Sequence, residues 1–352
     1  MIGVPSLDVR ERRVTIGKHQ TAFLEAGDAN APAIVLVHGW PERAISWRHQ
    51  IPVLAGLGFR VIAPDQRGYG DSTVYSETSD YALEALTGDM IGLIDALEVD
   101  QAVWVGHDWG SPVVFSVASH FPARCQAVAS LCVPYYHLER GLNHTISLVD
   151  RSIYPEERYP AGQWDYQRYY EEHFADATRA FDANPRATIQ ALFRKGDPAG
   201  QGLPAGTATT RRDGGWFGGL GQAPAAPLDT DVLTEADLAV YAEGLERNGF
   251  FGPDAFYMNH AANEAFANEA LNEGRLDMPV LFLAGRYDYV CETVTSGAAG
   301  PMREFCTQLD EVIIDSGHWM AQERPIEVNQ ALVRWLTTHA LLPSSAQTPF
   351  EP

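Results

Sequence analysis

The sequence is poor in positive charge. Its 25 lysines and arginines face 46 aspartates and glutamates, giving a formal net charge of −21. So acidic a surface repels nucleic acid and anionic membranes, and neither is expected as a partner. Cysteine is scarce as well. The four residues Cys125, Cys132, Cys291 and Cys306 show no Cys-x-x-Cys spacing. That argues against a disulfide framework and makes free thiols in a reducing cytoplasm the simplest account. No apolar stretch reaches the length of a membrane span. The opening Met1–Asp8 lacks a secretory pattern, which fits the same compartment. No internal repeat is found. What is present is apolar bulk: 352 residues, 45% of them hydrophobic, enough for a large buried core.

Periodicity divides the chain into three stretches. In the first, 14–18 and 21–26 read as antiparallel strands around a turn at His19-Gln20. The apolar runs 33–37 and 60–63 read as strands buried on both faces, with a helical pattern over 46–57 between them. A helix is expected over 83–97, then a strand at 102–105, a helix at 111–117 and a strand at 128–133. From Pro134 to about 278 the pattern becomes helical and aromatic-rich, with a Gly/Pro-rich loop over 196–227. A structureless segment of that length is expected to be a lid or disordered. Alternation resumes with strands at 279–284 and 311–314 and a helix over 325–339. Strands alternating with helices predict an α/β fold with a mostly parallel sheet covered on both faces. The interruption predicts a core of 1–133 and 279–352 with an inserted helical cap, 134–278, over the carboxyl edge of the strands. A ligand is expected in the cleft between them.

The chemistry centres on Gly106-His107-Asp108-Trp109-Gly110, which joins a strand to a helix. Gly-x-nucleophile-x-Gly at such a turn resembles the nucleophile elbow of α/β-hydrolases, with a carboxylate where serine usually stands. Serine would suggest acyl transfer. Aspartate suggests attack on a saturated carbon, because the alkyl ester that forms can be cut by water at the aspartate's own carbonyl. Such a nucleophile needs a base, an acid to orient the base, an oxyanion hole and a donor for the leaving oxygen. His318, in the Gly-His-Trp loop after the last strand, is the candidate base among 11 histidines. Its place after the nucleophile and the acid is the chain order of that fold. Asp288, just past the strand ending at Ala284, is the candidate acid. A plain turn aspartate is the alternative there, but the loop after Val133 offers no carboxylate before Glu139. The loop His38-Gly39-Trp40-Pro41 and the residue after the nucleophile would supply the oxyanion-hole N–H groups of Trp40 and Trp109. Their rings are read as pocket lining or packing.

Together these pieces resemble an epoxide hydrolase of the α/β-hydrolase fold family, over about Ile34 to Ala340. They are His-Gly-Trp-Pro-Glu at 38–42, Trp47-Arg48-His49-Gln50, Asp65-Gln66-Arg67-Gly68-Tyr69-Gly70, the elbow and Gly317-His318-Trp319. The resemblance implies an eight-stranded α/β-hydrolase sheet. It also implies two substrate-binding tyrosines pointing from the cap at the epoxide oxygen. The segment 164–170 matches the one carrying the first, which falls on Tyr166, and 249–259 matches the other, which falls on Tyr257. A phenol suits a strongly basic alkoxide as its acid. Packing competes as an account, since the chain has 14 tyrosines, with Tyr154, Tyr169 and Tyr170 close in sequence. The N-terminal phosphatase domain that larger relatives carry is expected to be lacking.

The expected function is hydrolysis of a small apolar epoxide by water to a vicinal diol, through an ester on Asp108, with no metal and no other cofactor. Two rivals remain. A haloalkane dehalogenase would share Asp108 and Trp109, but cap tyrosines suit an oxygen leaving group better than a halide. A small-molecule receptor on the same fold would not need the complete Asp108, His318 and Asp288 set. The natural epoxide and the oligomeric state stay open, a homodimer included.

Overall fold

The computed structural model describes residues 8–343. The two ends of the expected core, 1–7 and 344–352, lie outside the described residues. Eight strands form one sheet in the order β1-β2-β4-β3-β5-β6-β7-β8. They are β1 Arg10–Ile16, β2 His19–Ala26, β3 Ala33–Val37, β4 Arg60–Pro64, β5 Ala102–His107, β6 Cys125–Leu131, β7 Leu276–Gly285 and β8 Cys306–Ile314. β2 runs antiparallel to β1 and β4, and all other pairs are parallel. Every residue of β3, β4 and β5 is buried, as their unbroken apolar runs require of strands covered on both faces.

Three local expectations shift. The first hairpin turns at Gly17-Lys18 and not at His19-Gln20, because Gly17 takes φ 61° and Ile16 pairs with His19. The helical pattern over 46–57 splits into a short turn at Ala44–Trp47 and a helix at Ile51–Gly56. β6 runs from Cys125 to Leu131 and not from 128 to 133, since Cys132 leaves the strand at φ 72°.

Between β6 and β7 the chain leaves the sheet for a series of helices, chief among them Asp165–Asp182 and Glu235–Asn248. The second starts cleanly because Thr234 and Asp237 form a capping box. The stretch 196–227 holds only two short turns of helix, Pro198–Gly200 and Gly206–Thr209, yet it is not loose. Arg211 Nε donates to Asp165 Oδ1 at 2.6 Å, and the Gly196 N–H donates to Glu323 Oε2 at 3.1 Å. Packing holds this segment where regular hydrogen bonding does not. Among the described residues, no helix is long and apolar enough to cross a membrane.

The carboxyl ends of the parallel strands lie side by side. The loop after β3 begins at His38, the one after β5 at Asp108, the one after β7 at Arg286 and the one after β8 at Asp315. Residues far apart in sequence therefore meet at one edge.

Candidate active site

The elbow is built by contact as much as by backbone freedom. A Cβ on Gly106 would lie 2.5 Å from the Gly110 carbonyl oxygen, and one on Gly110 would lie 2.1 Å from that of Val37. Neither glycine takes a positive φ. The strained residue is Asp108 itself, at φ 48°. Its carboxylate thus stands clear of the turn. Gly39 is needed as well, because a Cβ there would meet Asp108 Cβ at 2.4 Å.

The N–H of Trp40 donates to Asp108 Oδ1 at 2.7 Å, and the N–H of Trp109 donates to the same carboxylate. Both expected oxyanion-hole groups therefore meet at the expected nucleophile. His318 Nε2 lies 3.6 Å from Asp108 Oδ2, and His318 Nδ1 donates to Asp288 Oδ2 at 2.8 Å. The other oxygen of Asp288 accepts from the N–H groups of Cys291 and Val290 at 2.9 and 3.2 Å. Asp108, His318 and Asp288 thus form one chain of contacts.

Burial raises the pKa of Asp108, against the pull of His318 and His107. Burial also disfavours charge on His318, but the Asp288 and Asp108 carboxylates outweigh it and raise the imidazole to about 9. Asp288 moves the other way: the charge and N–H of His318 overcome burial and lower it.

A second layer of residues lies behind these three. His107 Nδ1 lies 2.6 Å from Glu42 Oε2, and its Nε2 lies 2.8 Å from the carbonyl oxygen of His318. Both partners are acceptors, one a carboxylate oxygen and the other a backbone carbonyl. Burial disfavours the Glu42 charge, yet His107 and the Gly39 N–H hold it down at about 2. Glu42 also accepts from the Gly39 N–H at 2.9 Å and from Gln322 Nε2 at 3.2 Å. One buried hydrogen-bonded pair therefore ties the loop after β3, the elbow and the His318 loop together. The only hint in sequence was that Glu42 and His107 sit in the two motifs that flank the site.

The opposite wall is aromatic. Tyr166 and Tyr257 are both buried, with ring centroids 5.6 Å apart. The Tyr257 ring stands edge-on to Trp109 at 5.2 Å and to Trp40 at 5.8 Å. Gln167 Nε2 donates to the Tyr166 hydroxyl at 3.1 Å. Burial, then nearby negative groups that include Asp108, push both phenols well above their usual range, so each keeps its proton. The other tyrosines go elsewhere. Tyr154 accepts from the Ala205 N–H, and Tyr169 packs on His173. Tyr170 stacks on Tyr257 at 4.7 Å and donates to Asp254 at 3.3 Å.

Two residues of this wall were missed. Asp254, fully buried, also accepts from Trp40 Nε1 at 3.0 Å and from Thr178 at 3.0 Å, linking the walls. Burial raises its pKa well above the usual, against those three donors. Trp216 reaches in from the 196–227 segment, and its ring lies 5.0 Å from Tyr166 and 5.6 Å from Trp40. A glycine-rich loop shows no periodicity, so nothing in sequence marked it.

The donor atoms of two groups lie close enough together for a metal ion: His107, Cys132 and His318, and Asp288, Cys291 and His318. In the first, both His107 nitrogens are already engaged, by Glu42 and by the His318 carbonyl. In the second, His318 Nδ1 is committed to Asp288. Neither set fits a metal without dismantling the hydrogen bonds around His318.

The chain matches the family model for the alpha/beta hydrolase fold over residues 32–325. It is 34% identical to Epoxide hydrolase A of Mycobacterium tuberculosis, over 93% of this chain and 97% of that protein. It is also 34% identical to Bifunctional epoxide hydrolase 2 of Mus musculus, over 92% of this chain and 54% of that protein. The chain thus spans about half the length of the mammalian relatives it matches. A solved structure, Epoxide Hydrolase A from Mycobacterium thermoresistibile, superposes with a TM-score of 0.75 at 33% identity. That likeness covers 94% of this chain and 98% of the other.

Proposed function

The chain belongs to the epoxide hydrolases of the α/β-hydrolase fold, and from that premise we propose that it opens an epoxide to a vicinal diol by way of an ester on Asp108. One observation carries this reading: an elbow carboxylate, not a hydroxyl, faces two protonated phenols across the site. Asp108 attacks an epoxide carbon, and the C–O bond breaks as the new C–O bond forms. Tyr166 and Tyr257 donate to the ring oxygen, which ends as a hydroxyl. The proton it gains is balanced by one lost from His318.

Alkylation makes Asp108 a neutral ester. It thereby removes one of the carboxylates that hold His318 up at about 9. The imidazole's pKa falls, and it becomes a base for water. Water then attacks the Asp108 carbonyl carbon, and the oxyanion takes the N–H groups of Trp40 and Trp109. Collapse releases the diol and restores the Asp108 carboxylate and the protonated His318. Asp288 orients the base. The scheme needs no metal or organic cofactor.

We read 134–278 as an inserted cap that carries the phenols. The four cysteines are free and buried, which supports the cytoplasm as the compartment. The strong negative charge argues against a nucleic-acid partner. One observation favours the second reading, halide release: the buried indole N–H of Trp109 has no partner among the described residues. The test sets diol formation from styrene oxide against bromide release from a bromoalkane. Diol without bromide is expected. Bromide without diol overturns the reading in favour of a dehalogenase, and binding of either compound without turnover overturns it in favour of a receptor.

A further inference from the structure

The 214–219 stretch bends sharply around one side chain. Gly214, Gly215, Gly218 and Gly219 all take positive φ, at 81°, 125°, 61° and 75°. Such backbone favours glycine at each position. A Cβ on Gly215 would also crowd the Tyr169 hydroxyl at 3.0 Å. The bend delivers the Trp216 indole among Tyr166, Trp40 and Phe181, with ring centroids 5.0, 5.6 and 5.6 Å away. Packing alone accounts for an aromatic ring here. It does not account for the polar edge. Trp216 Nε1 is buried and has no hydrogen-bond partner among the described residues. A buried donor without an acceptor is destabilising, and a phenylalanine would fill the place without that cost.

We propose that Trp216 is a specificity-determining residue whose indole N–H donates to an acceptor oxygen on the substrate, near but outside the oxirane. The proposal rests on the epoxide-hydrolase reading and narrows it. The ring oxygen already has its donors in Tyr166 and Tyr257, so the Trp216 N–H is left for a second oxygen. Apart from that donor and the Tyr166 phenol, the rings around it present apolar faces. The substrate class that fits is an epoxide with an ether or carbonyl oxygen close to the ring and an apolar or aromatic remainder, as in a glycidyl ether.

The experiment compares phenyl glycidyl ether with its carbon analogue, in which a methylene replaces the ether oxygen. The ratio of their kcat/KM values is measured for the wild type, for Trp216→Phe and for the enzyme carrying benzothienylalanine at position 216. The last keeps the two-ring shape and lacks the N–H. Intrinsic reactivity cancels when the ratios are compared. Both variants are expected to lower the ether preference roughly 3- to 10-fold, the worth of one net hydrogen bond. An unchanged ratio in both overturns the proposal. A drop in Trp216→Phe alone also overturns it, since shape would then be the cause. If the wild type hydrolyses neither compound, the epoxide-hydrolase reading itself has failed, and this inference falls with it.

Discussion

On the sheet side of the site, each reacting group is held by short directional bonds. Trp40 N–H reaches Asp108 at 2.7 Å, His318 reaches Asp288 at 2.8 Å, and His107 reaches Glu42 at 2.6 Å. Across from them, Tyr257, Tyr170, Tyr166 and Trp216 meet chiefly through ring contacts of 4.7 to 5.6 Å. Charge-assisted bonds demand one residue type at one place. Ring contacts accept many geometries at similar energy. In the proposed scheme the first wall sets the reaction, and the second, its two phenols aside, can change which molecule reacts.

The largest break in that contrast is expected from His318→Gln. Loss of the base should slow turnover by roughly 10²–10⁴, with alkylation surviving. Intact-protein mass spectrometry after epoxide addition should then find the enzyme plus one substrate mass. Rapid turnover without an adduct would remove His318 from its role.

The phenols are the exception on the aromatic wall, since they also carry chemistry. Tyr166→Phe and Tyr257→Phe should each slow alkylation by roughly 10²–10³ while keeping the ring contacts. The double variant should be nearly inactive. Full activity in both single variants would place the donors elsewhere.

Asp254 joins the walls, and its effect should fall on stability. Asp254→Ala leaves the donors of Trp40, Tyr170 and Thr178 unpaired and should cost about 1–3 kcal/mol in urea unfolding. Asp254→Asn, which keeps an acceptor, should cost less. Equal losses in the two would mean that volume, and not hydrogen bonding, is what Asp254 supplies.

A further effect is electrostatic. Folding raises His318 from 6.5 to about 9, so the folded protein holds a proton that the unfolded chain releases in that interval. The resulting stability is fully present below pH 6.5 and is lost as the pH climbs through 9. Asp288→Asn removes the main partner. The melting-temperature gap between wild type and variant should therefore be wider near about pH 6 than near about pH 10. A constant gap would deny the coupling.

The two walls also differ in how far the sequence disclosed them. Asp108, His318 and Asp288 sit at strand ends, where apolar runs stop and glycine-bearing loops begin, so position and residue type agreed. β3 and β5 were legible because burial on both faces leaves unbroken apolar runs. Glu42 and His107 were visible as residues but not as a pair, because 65 positions separate them and only the sheet brings them together. Tyr166 and Tyr257 came from resemblance, since nothing in helical spacing separates them from Tyr170. Trp216 was illegible: its place depends on four left-handed glycines and a tertiary aromatic cluster, neither of which leaves a periodic trace.

The central claim is that Asp108 is the nucleophile, and the source of the oxygen atom tests it directly. With enzyme in excess over epoxide in ¹⁸O-labelled water, a single turnover should give a diol largely without label, because its new oxygen comes from the aspartate. Peptide mapping should then find the label in the Asp108 carboxylate. A diol labelled in that first turnover, together with an unlabelled protein, would mean that water attacks the epoxide directly and would reduce Asp108 to a general base.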